Sequence, residues 1–260
     1  MASVAVKSAK RSLDILELIM ERESGLTFTD IGASLGLPRS SLYGLLTTLV
    51  SSGWLSFDTA RKTYELGVRT LEAGNAYLRA QDLPSRARPF MERIRDAFDE
   101  TVQLSQLSGR FNVYVEKVDG RQALILASAV GRRLPAHATG VGKVLLAFLD
   151  RETLEDLFEG VTLERFTKHT ITSKTALYRR LAEIRDMGYG TDEEEYSVGV
   201  RCVAVPVRDR HGKVVAAMSV SAPAVRFDER NAERARALLL ESAAELSTAL
   251  GYEPRASDLA

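Results

Sequence analysis

The sequence predicts an α+β fold in which an N-terminal winged helix-turn-helix unit precedes a larger domain of strands and helices. Three observations support this prediction. Apolar residues recur at helical spacing near the N-terminus, a short β-hairpin follows them, and β-rich segments then alternate with amphipathic helices. The length of 260 residues suits two modest domains.

The composition narrows the class of protein. The formal net charge is zero, so affinity for nucleic acid would come from local clusters of basic residues. Cys202 is the only cysteine, which excludes an intrachain disulfide and a cysteine-based metal framework. The chain shows no apolar run near the ~20 residues of a membrane span and no signal-peptide core. We therefore expect a cytoplasmic protein that does not enter the membrane.

Two helices are predicted before residue 36. The first covers roughly 8–22, with apolar residues at helical spacing at Ala9, Leu13, Leu16 and Met20. Thr27 and Asp30 have the spacing of a capping box, which predicts a second, short helix. Gly36 suits the tight turn that ends it.

A third helix is predicted next, and it completes a helix-turn-helix. Pro38 is expected at its first position. The apolar stripe consists of Leu42, Leu45, Leu46 and Leu49. The outward side chains are expected to reach base edges and phosphates in the major groove, and they belong to Arg39, Ser40, Ser41, Tyr43, Gly44 and Thr47. A helical module that packs against protein is the alternative.

The segment WLSFDTARKTYEL predicts a β-hairpin that turns at Thr59–Arg61, which would make the unit a winged helix. Residues 1–70 hold eight Lys or Arg and seven Asp or Glu, so only the distribution of charge favours DNA. The cations expected near phosphates are Lys7, Lys10, Arg11, Arg39, Arg61 and Lys62. The basic hairpin tip favours DNA binding over the protein-packing alternative.

A sparse apolar stripe at Val68, Leu71 and Leu78 predicts a linker helix that Pro84 ends. This places the DNA-binding unit at 1–67, the linker helix at 68–82, the second domain at 83–253 and a tail at 254–260. Because the linker helix is only thinly apolar, it is suited to pairing with a second chain.

The second domain is predicted to be built largely of hairpins. Its first strands are VQLSQL, FNVYVEKV and ALILASAV, with a turn at Asp119–Gly120 between the last two. Two more strands flank a turn at His211–Gly212. The predicted helices lie in HATGVGKVLLAFLD, in SKTALYRRLAEIRDMGYG and from Asp228 to Leu250.

The stretch HATGVGK resembles a phosphate-binding loop but lacks its chemistry. His137 stands where the first glycine belongs, and Val144 replaces the hydroxyl that binds Mg²⁺. The backbone amides of Gly140, Val141 and Gly142 are instead expected at a helix N-terminus, which attracts an anion such as a small carboxylate. A tight turn without a ligand is the alternative.

Polar residues around the later strands predict a pocket. Four acids, 192–195, precede one strand, and Ser219 and Ser221 share one face of the next. With Asp192 and Cys202, these hydroxyls are expected to face a small polar molecule. Hydrogen bonding within the core is the alternative.

The sequence resembles the IclR family of bacterial transcription regulators over nearly its whole length. The resemblance rests on VKSAKRSLDILELI, on TFTDIGASLGLPRSSLYGLLTTLVSSGWL and on YELGVRTLEAG. Most specific is the ordered set of LPAHATGVGK, GYGTDEEEYSVGVRCVAVPV and AAMSVSAP. The resemblance implies a winged helix, a linker helix and a GAF-like effector-binding domain. It further implies a homodimer or dimer of dimers on palindromic double-stranded DNA.

The resemblance also implies a small organic acid effector from a catabolic pathway, acting on a repressor. Its carboxylate would be held by Gly140 and Val141. The other implied effector residues are Leu126, Leu134, Asp192, Val200, Cys202, Ser219 and Ser221. Family members that bind very small acids have a bulkier residue at the position of Ala123. The small side chain here implies a roomier pocket, which points to an aromatic acid.

An enzyme with an accessory DNA-binding-like domain is the alternative function. A Cys202 nucleophile would need a general base, and no sequence motif indicates one. It also carries neither a G-x-S-x-G elbow nor an H-E-x-x-H motif. We therefore predict no catalytic residue, no cofactor and no metal.

Overall fold

The computed structural model describes residues 6–22, 24–80, 82–121 and 129–253. The chain forms two compact units that divide between residues 80 and 81. The predicted strand at 123–130 falls mostly in 122–128, outside the described residues. In the part that is described, no helix is both long and apolar enough to cross a membrane.

The N-terminal unit consists of helices and a small antiparallel sheet. Its elements are α1 (Lys7–Met20), β1 (Leu26–Thr27), α2 (Phe28–Leu35), α3 (Arg39–Ser51), β2 (Leu55–Asp58), β3 (Thr63–Leu66) and α4 (Val68–Ala80). The sheet order is β1-β3-β2. The predicted hairpin is β2–β3, and the two-residue β1 that pairs with β3 was not predicted.

Helix α2 begins and ends where the sequence predicts. The amide of Asp30 donates to the Thr27 hydroxyl at 3.2 Å, and the amide of Thr27 donates to the Asp30 carboxylate at 3.1 Å. Gly36 ends the helix in the left-handed region, with φ of 60°. Pro38 was expected at the first position of α3, but it is the N-cap. Its backbone is extended and its carbonyl accepts the Leu42 amide at 3.0 Å, so the helix begins one residue later.

The core of this unit forms between α1, α2 and α3. The buried apolar residues are Ile15, Ile19, Ile31, Leu42, Leu46, Leu49 and Leu55. The predicted stripe of α3 is therefore correct. The helix predicted over roughly 8–22 is found as α1, but its buried residues are Ile15 and Ile19, while Leu13 and Met20 are 59% and 57% exposed.

The C-terminal unit contains one large sheet with helices on both faces. Its elements are α5 (Asp82–Phe98), β4 (Thr101–Ser108), β5 (Phe111–Val118), β6 (Arg133–Pro135), α6 (Gly140–Ala147), α7 (Arg151–Phe158), α8 (Lys174–Met187), β7 (Gly190–Glu193), β8 (Val200–Arg208), β9 (Val214–Pro223) and α9 (Glu229–Ala249). Within the described residues the strand order is β6-β5-β4-β9-β8-β7, and all pairs are antiparallel. Pro84 was predicted to end the linker helix. It lies instead in the first turn of α5, where a proline is tolerated because the first amides have no intrahelical partner.

Two apolar layers fix which face of the sheet is available for a site. One layer includes Met91 and Ile94 of α5 and Leu239 of α9, packed on one face of the sheet. The other includes Val144 of α6 and Leu177 of α8, packed on the opposite face. Successive residues of a strand point to opposite faces, so Cys202 and Ala204 join the second layer while Val203 and Val205 join the first. The second layer is the one that contains the polar residues predicted for a pocket.

Candidate DNA interface and effector pocket

The outer face of α3 presents most of the predicted DNA-reading residues. Leu42, Leu46 and Leu49 point into the core, so the positions between them face outward. Arg39, Ser40, Tyr43, Gly44 and Thr47 are exposed, and Tyr43 is 67% exposed. Ser41 is half-buried and accepts a hydrogen bond from Arg11 Nη1 at 3.2 Å, which ties α1 to α3.

The hairpin tip is ordered by its own backbone hydrogen bonds. The Asp58 carboxylate accepts from the amides of Ala60 at 2.8 Å and Arg61 at 3.0 Å, and these bonds lower the pKa of Asp58. Lys62 adopts a left-handed backbone with φ of 59°. Arg61 and Lys62 are both exposed at the turn, so the wing presents two cations in a defined position.

The N-terminal cations differ in their surroundings. Lys7 and Lys10 are exposed on α1, but Lys10 Nζ donates to Asp14 at 2.7 Å. Such an exposed pair is weak, so Lys10 can exchange Asp14 for a phosphate at little cost. Arg11 already has a structural partner in Ser41.

The glycine turn begins α6, as predicted, but its amides are not equivalent. The amide of Gly142 donates to Thr139 Oγ1 at 3.1 Å, and the amide of Lys143 donates to the Thr139 carbonyl at 2.9 Å. The expectation that Gly142 offers its amide to a ligand is therefore wrong. Among the described residues, Gly140 and Val141 have no acceptor for their amides, as the first residues of a helix usually do not.

The two glycines of this turn also allow close packing. A Cβ on Gly142 would lie 2.4 Å from the backbone of Ala136, and one on Gly140 would lie 3.0 Å from Cys202 Sγ. Only a residue without a side chain fits at position 142, whereas a side chain at position 140 would require Cys202 to shift. Thr139, the N-cap, is fixed in turn by donating to Asn112 Oδ1 at 2.7 Å.

The sheet brings the predicted polar residues together. Asp192 on β7 lies opposite Cys202 on β8, and Cys202 lies opposite Ser221 on β9. Ser219 lies opposite Gln103 on β4. These side chains form one wall of a cavity of about 130 Å³. The cavity is lined by Gln103, Tyr114, Leu134, Thr139, Gly140, Val141, Asp192, Tyr196, Ser197, Val200, Cys202, Ser219 and Ser221.

The pocket is electrostatically unusual at Asp192. Burial raises the pKa of this carboxyl to about 7, although the charge of Lys143 and a hydrogen bond from the Glu195 amide at 2.7 Å oppose the shift. Burial, followed by the neighbouring Asp192, raises the pKa of the Cys202 thiol to about 12. Burial likewise raises the pKa of Tyr114. Cys202 is therefore a neutral thiol at neutral pH and a poor nucleophile.

Comparison with known proteins decides the family. Residues 8–59 match the family described as IclR helix-turn-helix domain, and residues 75–248 match the one described as bacterial transcriptional regulator IclR C-terminal. The chain belongs to the IclR family. It is a helix-turn-helix transcription regulator whose C-terminal domain is of the effector-binding type.

Relatives of this IclR-family chain are similar over nearly their full length. The HTH-type transcriptional regulator XynR of Escherichia coli K12 is 39% identical over 247 residues, which cover 95% of this chain and 98% of the relative. KdgR of the same organism is 36% identical, covering 95% and 94%. An IclR homologue from Microbacterium hydrocarbonoxydans has been crystallised in complex with 4-hydroxybenzoate. Its sequence is 28% identical to this chain, and the two structures match with a TM-score of 0.77 over 94% of this chain and 99% of the homologue.

Eight of the nine effector residues predicted for this IclR-family chain line the same cavity. They are Leu134, Gly140, Val141, Asp192, Val200, Cys202, Ser219 and Ser221. The ninth, Leu126, and the small Ala123 lie outside the described residues. The role of the eight as effector ligands stays a prediction.

Sequence reasoning missed five lining residues: Gln103, Tyr114, Thr139, Tyr196 and Ser197. Gln103 is central, since the hydroxyls of Ser221 and Ser219 donate to its Oε1 at 2.9 and 3.3 Å. Its signal was a polar residue between the apolar Val102 and Leu104 of a buried strand. No three His, Cys, Asp or Glu side chains gather for a metal ion within the described ranges.

Proposed function

We propose that the protein represses transcription by binding a palindromic operator as a dimer or a dimer of dimers, and that it acts in the cytoplasm. Residues 1–67 would bind DNA, residues 68–82 would form the helix that links the two domains, and residues 83–253 would sense the effector. The exposed face of α3 and the ordered basic wing support this proposal. The proposed DNA contacts are Lys7, Lys10, Arg11, Arg39, Ser40, Ser41, Tyr43, Thr47, Arg61 and Lys62.

The proposed effector is a small organic acid whose carboxylate accepts from the Gly140 and Val141 amides. One observation carries this: the two residues at the start of α6 whose amides have no acceptor in the described chain also line a cavity with polar side chains. A helix N-terminus favours an anion through its free donors and its dipole. Ser219, Ser221 and Asp192 would bind the rest of the molecule.

The size of the cavity suits an acid with one ring. Its volume of about 130 Å³ is close to that of an engineered 150 Å³ cavity that holds benzene. The solved relative bound to 4-hydroxybenzoate makes an aromatic acid a reasonable first candidate. The polar floor at Gln103, Ser219 and Ser221 equally suits a hydroxylated aliphatic acid.

The effector would act by preferring one arrangement of the regulator. If it binds the DNA-free form about a hundredfold more tightly than the DNA-bound form, the coupling free energy is about 2.7 kcal/mol. That value lies in the usual range for allosteric proteins. It would lower operator affinity by the same hundredfold factor.

Operator binding in the presence of acids tests the proposal. Fluorescence anisotropy would follow labelled DNA from upstream of the protein's own gene at fixed salt, with and without a panel of aliphatic and aromatic acids. We expect a specific complex that one class of acid weakens. A complex that no acid alters, or conversion of a bound acid to product, would contradict the proposed sensing role.

A further inference from the structure

Behind the effector pocket lies a buried ion pair that the proposed function leaves unexplained. Lys143 is in the first turn of α6, and its side chain is 0% exposed. Its ammonium donates to Oε1 of Glu195, which belongs to the loop of residues 194–199 between β7 and β8. Lysine is almost never fully buried unless it is paired.

Stability alone is a poor explanation for this pair. An apolar pair of similar volume is often as stable as a buried ion pair, because desolvation offsets the attraction between the charges. The Lys143–Glu195 pair is also incompletely satisfied. Oε2 of Glu195 is buried and has no hydrogen-bond partner in the described part of the chain. A pair that served only the core would be expected to satisfy that oxygen.

The pair joins the two elements that form the pocket. Lys143 follows Gly140 and Val141 in α6, and both of those residues line the cavity. On the other side, the Glu195 amide donates to the Asp192 carboxylate at 2.7 Å. Tyr196 and Ser197, the next residues of the loop, line the cavity themselves.

The far side of the loop is also held. Thr167 Oγ1 donates to the Glu194 carbonyl at 2.7 Å, and Thr170 Oγ1 donates to the Glu195 carbonyl at 2.6 Å. These bonds hold the carbonyls of Glu194 and Glu195 from outside the pocket. The Lys143–Glu195 pair links the loop to the glycine turn of residues 139–143, which is the proposed anion-binding turn.

We propose that Lys143 and Glu195 are positioning residues, which hold the 194–199 loop closed against the anion-binding turn and so set Asp192, Tyr196 and Ser197 around the effector. The pair does not touch the effector. It would fix the distance between the donors at Gly140 and Val141 and the acceptor at Asp192. The link to an effector rests on the proposed function, whereas closure of the loop does not.

Cys202 provides a direct measure of this closure. It is the only thiol in the chain, it lines the cavity, and it is buried. Its alkylation by iodoacetamide therefore reports access to the pocket with no background from other cysteines. The full-length protein would be compared with Lys143→Met/Glu195→Leu, with Glu195→Gln and with Lys143→Arg.

The matched control is Glu193→Gln, which removes an ion pair between the exposed Glu193 and the half-buried Arg201 at the edge of the same loop. Thermal unfolding and operator binding would be measured for every variant. We expect the double variant to keep its melting temperature within a few degrees. We expect its Cys202 to react about tenfold faster, because opening the loop exposes the thiol.

Glu195→Gln, which preserves the size of the side chain, is expected to accelerate Cys202 alkylation less than the double variant does. Lys143→Arg and Glu193→Gln are expected to leave the alkylation rate at the parental value. Parental rates in both Glu195→Gln and the double variant would overturn the proposal. Equal acceleration by Glu193→Gln would also overturn it. If the double variant does not fold, Glu195→Gln decides by itself. Since alkylation requires no effector, a failure of every acid to release the operator would leave this result intact.

Discussion

Gly44 is the residue of α3 whose identity is hardest to explain without DNA. A glycine inside a helix costs about 1 kcal/mol relative to alanine, through backbone entropy. The fold does not require it, because a Cβ built on Gly44 meets no atom within 4 Å. Gly44 lies beside Tyr43 on the exposed face of α3. We predict that the α3 backbone approaches the DNA closely at this point.

Gly44→Ala should therefore have opposite effects on stability and on binding. It is expected to raise the free energy of unfolding by about 0.5–1 kcal/mol. For a unit of this size, that gain corresponds to a rise in melting temperature of roughly 2–8 °C. It is expected to weaken operator binding about tenfold, or ~1.4 kcal/mol, because the new methyl group keeps the helix from the DNA.

Gly74 provides a matched control. It too lies within an exposed helix, α4, and a Cβ there also meets no atom within 4 Å. Gly74→Ala should give the same gain in melting temperature with unchanged operator affinity, measured by fluorescence anisotropy at one salt concentration. If the Gly44→Ala variant is more stable and still binds the operator as tightly as the parent, the α3 backbone does not approach the DNA closely at this point.

Three further outcomes are expected. Arg39→Ala should abolish operator binding without changing the melting temperature, since its side chain is exposed at the start of α3; unchanged affinity would remove Arg39 from the interface. The double variant Ser219→Ala/Ser221→Ala should bind the operator normally but respond weakly to the acid found in the panel, and an unaltered dose–response would exclude both hydroxyls. Burial raises the pKa of Asp192 to about 7 from 3.8, so folding favours its protonated form. The resulting stabilisation is complete below about pH 4 and is lost as the pH rises through 7, by up to about 4 kcal/mol. Asp192→Asn should flatten that slope in urea unfolding, and a persistent slope would show that another group causes it.

The parts of the fold that depend on local sequence were predictable. The capping box at Thr27 and Asp30 and the left-handed Gly36 are determined by residues a few positions apart, and both are found. The buried face of α1 was not predictable in the same way. The segment LDILELIM has apolar residues around much of the helix, so periodicity alone does not distinguish the Ile15 and Ile19 face from the Leu13 and Met20 face. Packing against α2 and α3 makes that choice.

The pocket likewise has parts that depend on residues close in sequence and parts that depend on long-range pairing. Asp192 and Cys202 meet across the adjacent strands β7 and β8, and they are only ten positions apart in the sequence, which makes that contact local. Gln103 reaches Ser219 only because β4 pairs with β9, more than a hundred residues later. A single sequence contains no local signal for such a pairing, so Gln103 was missed although it accepts from both serines.

The stretch HATGVGK shows why a motif must be interpreted through its surroundings. In a phosphate-binding loop, the lysine reaches the phosphates and the glycines leave the amides free. Here the ammonium of Lys143 points into the protein and is neutralised by Glu195, while Thr139 occupies the amide of Gly142. In this turn, Gly140 and Val141 line the cavity and have amides without an acceptor in the described chain, whereas the cation of Lys143 is already paired. That arrangement suits one carboxylate better than a polyphosphate, because a triphosphate would need the lysine and a metal ion to neutralise its charge.

An effector bound in this turn would also lie next to Asp192, whose negative charge would repel it. The raised pKa of Asp192 removes much of that repulsion near neutral pH, so the burial that destabilises the charged carboxyl would also allow the proposed acid to bind beside it.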